Sequence, residues 1–147
     1  MKILFNEKKY ASYYQFYLQD AASTENPENI CIDENFAKSL GVGNQMLVIN
    51  TARYADVPVS LTSYKNEPEL NLEETEKVNE CSLLVTSTLK LGNEVSSDWT
   101  SYEIEKGIYR VRILYKNLSS VVGDEGNDSY EIQMWKDDEM RATNYLK

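Results

Sequence analysis

Apolar residues in this chain recur at every second position, in short runs that end at Gly, Pro, Asn, Asp or Ser. That period is what a strand with one buried face requires, whereas a helix face repeats near every third and fourth residue. A parallel sheet would need a crossover helix after most strands, and the segments between these runs lack helical periodicity. The pattern predicts an all-β (mainly β) protein, an antiparallel two-layer β-sandwich of about seven or eight strands with one short helix. With 147 residues the chain is expected to form a single β-sandwich domain over residues 1–147. A domain of that size buries a core without help from a metal or a disulfide.

The runs can be placed in order. Ser12–Asp20 reads as a strand with Tyr14, Phe16 and Leu18 on one face and Tyr13, Gln15, Tyr17 and Gln19 on the other. Residues 21–29 are polar and turn-rich. Asp33–Gly43 reads as a short helix, capped by Asp33 and ended by Gly41 in the left-handed conformation. Gln45–Ala52 and Asp56–Tyr64 are strands. Pro58 has no amide hydrogen to donate, which puts the second of these at a sheet edge or at a bulge. Lys65–Lys77 is an acidic loop, Glu80–Leu91 a strand and Gly92–Trp99 a connector. Glu105-Lys106-Gly107 reads as the turn of a hairpin into Ile108–Leu118, and Tyr130–Trp135 as a further strand after the loop Ser119–Ser129. The tail from Lys136 fits either a short helix or a frayed end.

The run "GIYRVRILY" poses a problem. Tyr109, Val111, Ile113 and Tyr115 share one face, so Arg110 and Arg112 share the other with Ile108 and Leu114. Two guanidiniums cannot both enter a core unpaired. They are expected to face water or to meet carboxylates on a neighbouring strand, with Glu131, Gln133 and Trp135 the obvious candidates; the Trp135 ring can also accept a guanidinium. The alternative is that Arg110, Arg112 and Trp135 form a binding surface.

The composition restricts the chemistry. There is no histidine, which removes the usual general base, the imidazole-dependent triads and most transition-metal sites. No Gly-rich phosphate loop is present. No catalytic residue, metal site or cofactor is therefore expected, although a pair of carboxylates acting as in glycosidases would be invisible in sequence. The segment 123–128, "GDEGND", has the composition of a calcium loop, but no Glu stands at the twelfth position and no helices flank it, so it reads as a turn. Cys31 and Cys81 belong to no C-x-x-C pair and are expected as free thiols, although a disulfide between them stays open. The first residues hold too short an apolar run for a signal peptide, and no segment is long enough to cross a membrane as a helix, so a cytoplasmic protein is expected.

With 24 acidic and 15 basic residues the net charge is -9, which repels nucleic acid and favours a basic protein partner. Glu67, Glu69, Glu73, Glu74 and Glu76, with Tyr64 beside them, are the candidate partner-binding residues; the alternative is a solvated loop. Eleven tyrosines against three Phe and two Trp suit half-buried surfaces and interfaces.

Several of these segments carry a resemblance. Tyr14-Gln15-Phe16 within "SYYQFYLQD" resembles the opening strand of the bacterial DNA-entry nuclease inhibitor, or competence protein J, family. "TARYADVPVSLTSY" is similar to its middle. "EKGIYRVRILYKNL" with "GNDSYEIQMW" resembles its C-terminal strand pair: a Gly, an aromatic, an R-x-R strand, a gap, then a strand ending in Trp. The similarity spans roughly Tyr10 to Trp135. The chain departs from the pattern at Lys106 and Lys136, where prolines are expected, and in a longer tail. The resemblance implies a β-sandwich that binds and blocks a nuclease or toxin without being an enzyme; it carries over no individual binding residue. The competing reading is a module binding carbohydrate or peptide through exposed Trp99, Trp135 and tyrosines.

Overall fold

The computed structural model describes residues 1–30, 38–93 and 98–147. Among them, eleven strands form two sheets. The strands are β1 (Lys2–Tyr10), β2 (Gln15–Asp20), β3 (Leu40–Val42), β4 (Met46–Asn50), β5 (Asp56–Tyr64), β6 (Thr75–Val85), β7 (Leu89–Gly92), β8 (Thr100–Tyr102), β9 (Gly107–Lys116), β10 (Ser129–Lys136) and β11 (Asn144–Tyr145). One helical turn, α1 (Pro27–Ile30), follows β2. The larger sheet has the order β1-β5-β10-β9-β6-β11 and the smaller β3-β4-β2-β7-β8.

The alternation seen in the sequence builds the core. Phe16 and Leu18 of β2 and Leu47 and Ile49 of β4 meet Val57, Val59 and Leu61 of β5 and Tyr109, Val111, Ile113 and Tyr115 of β9 in one buried cluster. Both sheets thus share a core, and the edge-to-face contact of Phe16 with Tyr130 crosses between them at 6.1 Å. The reverse face of the smaller sheet is covered as well: Tyr17, Met46 and Val48 pack with Ile30 and with Trp99.

The phenols inside this core are hydrogen-bonded, as burial demands. Tyr115 donates to the Ser39 carbonyl at 2.8 Å and accepts from Asn79 Nδ2 at 3.2 Å. Tyr130 donates to Asp128 at 2.7 Å and accepts from the Ala52 amide at 2.8 Å. Tyr115→Phe keeps the ring and removes one bond from each partner, although Asn79 Nδ2 still donates to the Lys38 carbonyl and the Ser39 carbonyl still accepts from the Asn50 amide. It is expected to lower stability by about 1–2 kcal/mol, read as a shifted midpoint in urea at unchanged slope.

Several expectations need correction. The protein is mainly β with two sheets and one short helix, but the strands number eleven and the larger sheet is mixed, since β5 and β10 run parallel. Residues 2–10, not anticipated as a strand, form β1 and pair along β5. The first expected strand starts at Gln15, because Tyr13 and Tyr14 take left-handed φ of 54° and 62° in a short 3-10 turn. β5 is internal, between β1 and β10. Pro58 is tolerated because β10 registers only from Val59 onwards, so Pro58 has a strand neighbour on the β1 side alone.

The expected strand 80–91 is two strands in different sheets, β6 and β7. Glu105-Lys106-Gly107 is not a hairpin turn, because it links β8 of one sheet to β9 of the other. Gly41 lies inside β3 rather than ending a helix; Asp33, its expected cap, and Cys31 lie outside the described residues. The tail is neither helical nor frayed: β11 pairs with Asn79 and Glu80 of β6. Cys81 is a buried free thiol, and burial pushes it up to about 12.

Candidate partner-binding site

The site is best built from Arg110 and Arg112, which point away from the shared core on the outer face of the larger sheet. They do not face water. Arg110 is 5% and Arg112 2% exposed. Two excursions of the chain cover them. The loop from Lys65 to Glu74 leaves the end of β5 and crosses the outer face to reach β6. The tail after β10 turns back along the edge of β6.

Each arginine holds one of these excursions. Arg112 donates through Nη1 to the Pro68 carbonyl at 2.9 Å and to Gln133 Oε1 at 3.0 Å, and through Nη2 to Glu67 Oε2 at 3.4 Å. Its Nε donates to Glu80 Oε2 at 2.8 Å, and its guanidinium lies 5.0 Å from the centre of the Trp135 ring. Arg110 donates to the carbonyls of Arg141 at 3.5 Å and Ala142 at 3.0 Å and to Ser82 Oγ at 3.2 Å. Its Nε lies 3.6 Å from Glu80 Oε1, so one carboxylate serves both cations. Ser82 Oγ also accepts from the Arg141 amide at 2.9 Å. The expected stacking on Trp135 is present. The principal carboxylate, however, is Glu80 on β6, while Glu131 pairs with Lys116 at 2.7 Å.

Arg110, Arg112 and Trp135 are therefore not open to solvent as an alternative binding surface would require: the loop after β5, a strap across the sheet, and the tail bury the arginines, and Trp135 is 6% exposed beneath a guanidinium. The same burial removes Trp135 from an aromatic platform. Trp99 is half-buried against Tyr17, with Lys90 Nζ 4.1 Å from its ring centre.

The acidic loop is held at its C-terminal end as well as at Arg112. Glu73 N donates to Asn71 Oδ1 at 2.9 Å, Thr75 N to the Leu72 carbonyl at 3.1 Å and Asn117 N to the Glu74 carbonyl at 3.2 Å. Glu69, Glu73 and Glu74 have exposed side chains, and Glu67 stays 65% exposed while touching Arg112. Glu76 is in β6 rather than in the loop. It accepts from the Ser119 amide at 3.0 Å and hydroxyl at 2.8 Å, and these bonds hold its carboxyl below the usual range.

The structure does not bring Tyr64 to Glu73, Glu74 and Glu76. Tyr64 pairs with Trp135 at one end of the sheet, level with Arg110 and Ser82, while Thr75 pairs with Lys116 at the other. The two ends are roughly 20 Å apart at about 3.3 Å per residue. Tyr64 instead lines an open depression of about 450 Å³ with Lys65, Glu105, Tyr109 and Lys136.

The 123–128 segment is a turn with Gly123 at φ 62°. Asp128 turns inward, 2.8 Å from Arg53 Nε, and Asp124 Oδ1 accepts from the Tyr54 amide at 3.3 Å.

Sequence reading missed Glu80 and the tyrosines around Tyr54. A signal for Glu80 existed: Glu80 and Ser82 alternate with buried Cys81 and Leu83, which gives β6 a polar face to set against the two arginines.

No family model matches this chain, and none of the curated proteins matches it in sequence. Two solved structures do match. One is ComJ from Bacillus subtilis, described as an inhibitor of the DNA degrading activity of NucA: 18% identical, with 92% of this chain and 97% of ComJ covered at a TM-score of 0.72. The other is described as crocagin biosynthetic gene J: 12% identical, with 91% and 98% covered at a TM-score of 0.59. At such identities the likeness is one of fold, and the fold of this chain is ComJ-like.

Proposed function

We propose that this chain is a non-enzymatic inhibitor of the immunity type, which binds a basic nuclease or toxin and blocks its active site. The observation that carries this reading is the acidic strap, fastened across a ComJ-like fold by buried Arg112 with its glutamates turned outward. An active site that holds phosphate is cationic, and a carboxylate row of fixed shape meets it without first paying the ordering cost of a loose loop. Glu69, Glu73 and Glu74 supply the exposed charge, Glu67 and Glu76 the anchored ends of the row.

The test has two stages. The chain is used to capture its partner from the cell that makes it, and DNA degradation by the captured protein is measured with and without added chain. Stoichiometric inhibition is expected. Reversing Glu69, Glu73 and Glu74 to Lys is expected to lower the association rate about tenfold at low salt and to flatten its salt dependence. Capture of no nuclease or toxin, or capture without inhibition, would remove the reading. An unchanged association rate would move the contact away from the strap.

A further inference from the structure

At one corner of the molecule three tyrosine rings surround a fourth. Tyr10, Tyr13 and Tyr14 each pack edge-to-face on Tyr54, with centroids 5.8, 5.5 and 5.7 Å away. Tyr13 is 64% and Tyr14 42% exposed. Edge-to-face packing around one ring fixes the orientation of the others.

The backbone beneath the rings is strained. Tyr13 and Tyr14 are consecutive non-glycine residues at φ 54° and 62°. The strained turn is held by Tyr14 N on the Ala11 carbonyl at 3.2 Å and by Thr51 N on the Tyr14 carbonyl at 2.8 Å. Glycine would sit there at lower energy, and for packing alone nothing is gained by pushing the Tyr13 ring into water.

Carboxylates border the rings. Asp56 is exposed and pairs in register with Tyr10, and Asp124 binds the Tyr54 amide. Desolvation first, then Tyr54, and after it Asp56 and Asp124, raise the Tyr10 hydroxyl above its usual range. This corner also adjoins the strap. The loop after β9 binds Glu76 through Ser119 and Tyr54 through Asp124, so one loop joins the acidic row to the rings.

We propose that the Tyr10–Tyr13–Tyr14–Tyr54 cluster, bordered by Asp56 and Asp124, is a docking surface for an arginine- or lysine-bearing face of a protein partner. It rests on the inhibitor reading above and adds the surface that supplies contact energy, where the strap supplies steering. The exposed tyrosines, Tyr13 and Tyr14, accept a guanidinium or ammonium, the carboxylates neutralise it, and rigid tyrosines are among the residues that dominate interface energetics.

The probe is a nona-arginine peptide at low salt. Binding is followed by anisotropy, and contact sites by NMR of the chain with labelled tyrosine rings and labelled backbone amides. The ring signals of Tyr13, Tyr14 and Tyr54 are expected to shift on titration. Tyr13→Gly is expected to weaken binding about three- to tenfold while the thermal midpoint holds or rises, since glycine relieves the left-handed turn. Asp124→Asn, which keeps the oxygen that binds the Tyr54 amide, is expected to weaken binding about threefold. Shifts confined to the amides of the strap would overturn this inference and leave the inhibitor reading standing. Absence of binding would also overturn it, while the inhibitor reading is decided by the capture experiment alone.

Discussion

Replacing Glu80 with alanine is expected to destabilise the fold by about 3–5 kcal/mol, the range for removing one partner of a buried ion pair. Glu80 is the carboxylate shared by Arg110 and Arg112, and its own side chain is only 13% exposed. Neither arginine can escape by losing its proton. Their other partners are neutral carbonyls, Ser82 and Gln133, apart from solvent-exposed Glu67 at 3.4 Å. Urea unfolding checks the size of the loss; a change below about 1 kcal/mol would show that water reaches the pair.

A second variant separates stability from positioning. Changing Glu80, Arg110 and Arg112 together to Leu, Met and Met removes the charge of this buried triad. Apolar replacement of such a triad is often neutral or stabilising by about 1–4 kcal/mol. The strap and the tail would then lose their anchors at Pro68, Arg141 and Ala142. Global stability is expected to recover while amide exchange speeds up at residues 65–74 and 137–147. Slow exchange there in the triple variant would mean that the strap needs no guanidinium to stay in place.

This arrangement explains why the arginines were legible as a problem but not as a solution. Period two puts Arg110 and Arg112 on the face opposite Val111 and Ile113, and the structure agrees. What covers that face is set by long-range topology: the strap returns from β5 to β6 across two intervening strands, and no local pattern specifies such a crossing. For the same reason the run 80–91 looked continuous. Its apolar residues keep the same parity on either side of the polar Thr86-Ser87-Thr88, with Leu83 and Val85 before and Leu89 and Leu91 after, and the carboxylate of Asp20, 66 residues away in sequence, binds where the chain changes sheets. The glutamates of the strap were legible by composition, and their spread over some of the sheet's length was not. The tyrosine corner was hidden because Tyr13 and Tyr14 continue an apparent strand pattern that their left-handed backbone breaks.

Asp20 supplies the second large effect. Its side chain is fully buried and gathers donors from three parts of the chain. Oδ2 accepts from Thr86 N at 2.7 Å, Thr86 Oγ1 at 2.6 Å and Gln45 Nε2 at 2.8 Å. Oδ1 accepts from Ser87 N at 3.1 Å, Ser87 Oγ at 2.5 Å and Ala22 N at 3.3 Å. It thereby fixes the turn by which β6 of one sheet becomes β7 of the other. Burial acts to raise its carboxyl, but the Ser87 and Thr86 bonds together outweigh that and hold it well below the usual carboxylate range.

A carboxylate whose folded value is depressed stabilises the fold in full above its unfolded value, about 3.9, and loses that contribution as pH falls toward the folded value. Asp20→Ala is expected to cost about 3 kcal/mol or more near neutral pH, because several buried donors lose their acceptor at once. Asp20→Asn fills the space but sets an amide against donors and carries no titrating group. The gap in stability between the native chain and Asp20→Asn should therefore be constant from neutral pH down to about pH 5. Below about pH 4 it should narrow by roughly 1.4 kcal/mol for each further unit. Denaturant titrations of both proteins at pH 7, 5, 4 and 3 measure that slope. A gap that stays level through pH 3 would mean that Asp20 holds the turn in either protonation state and that its charge contributes nothing.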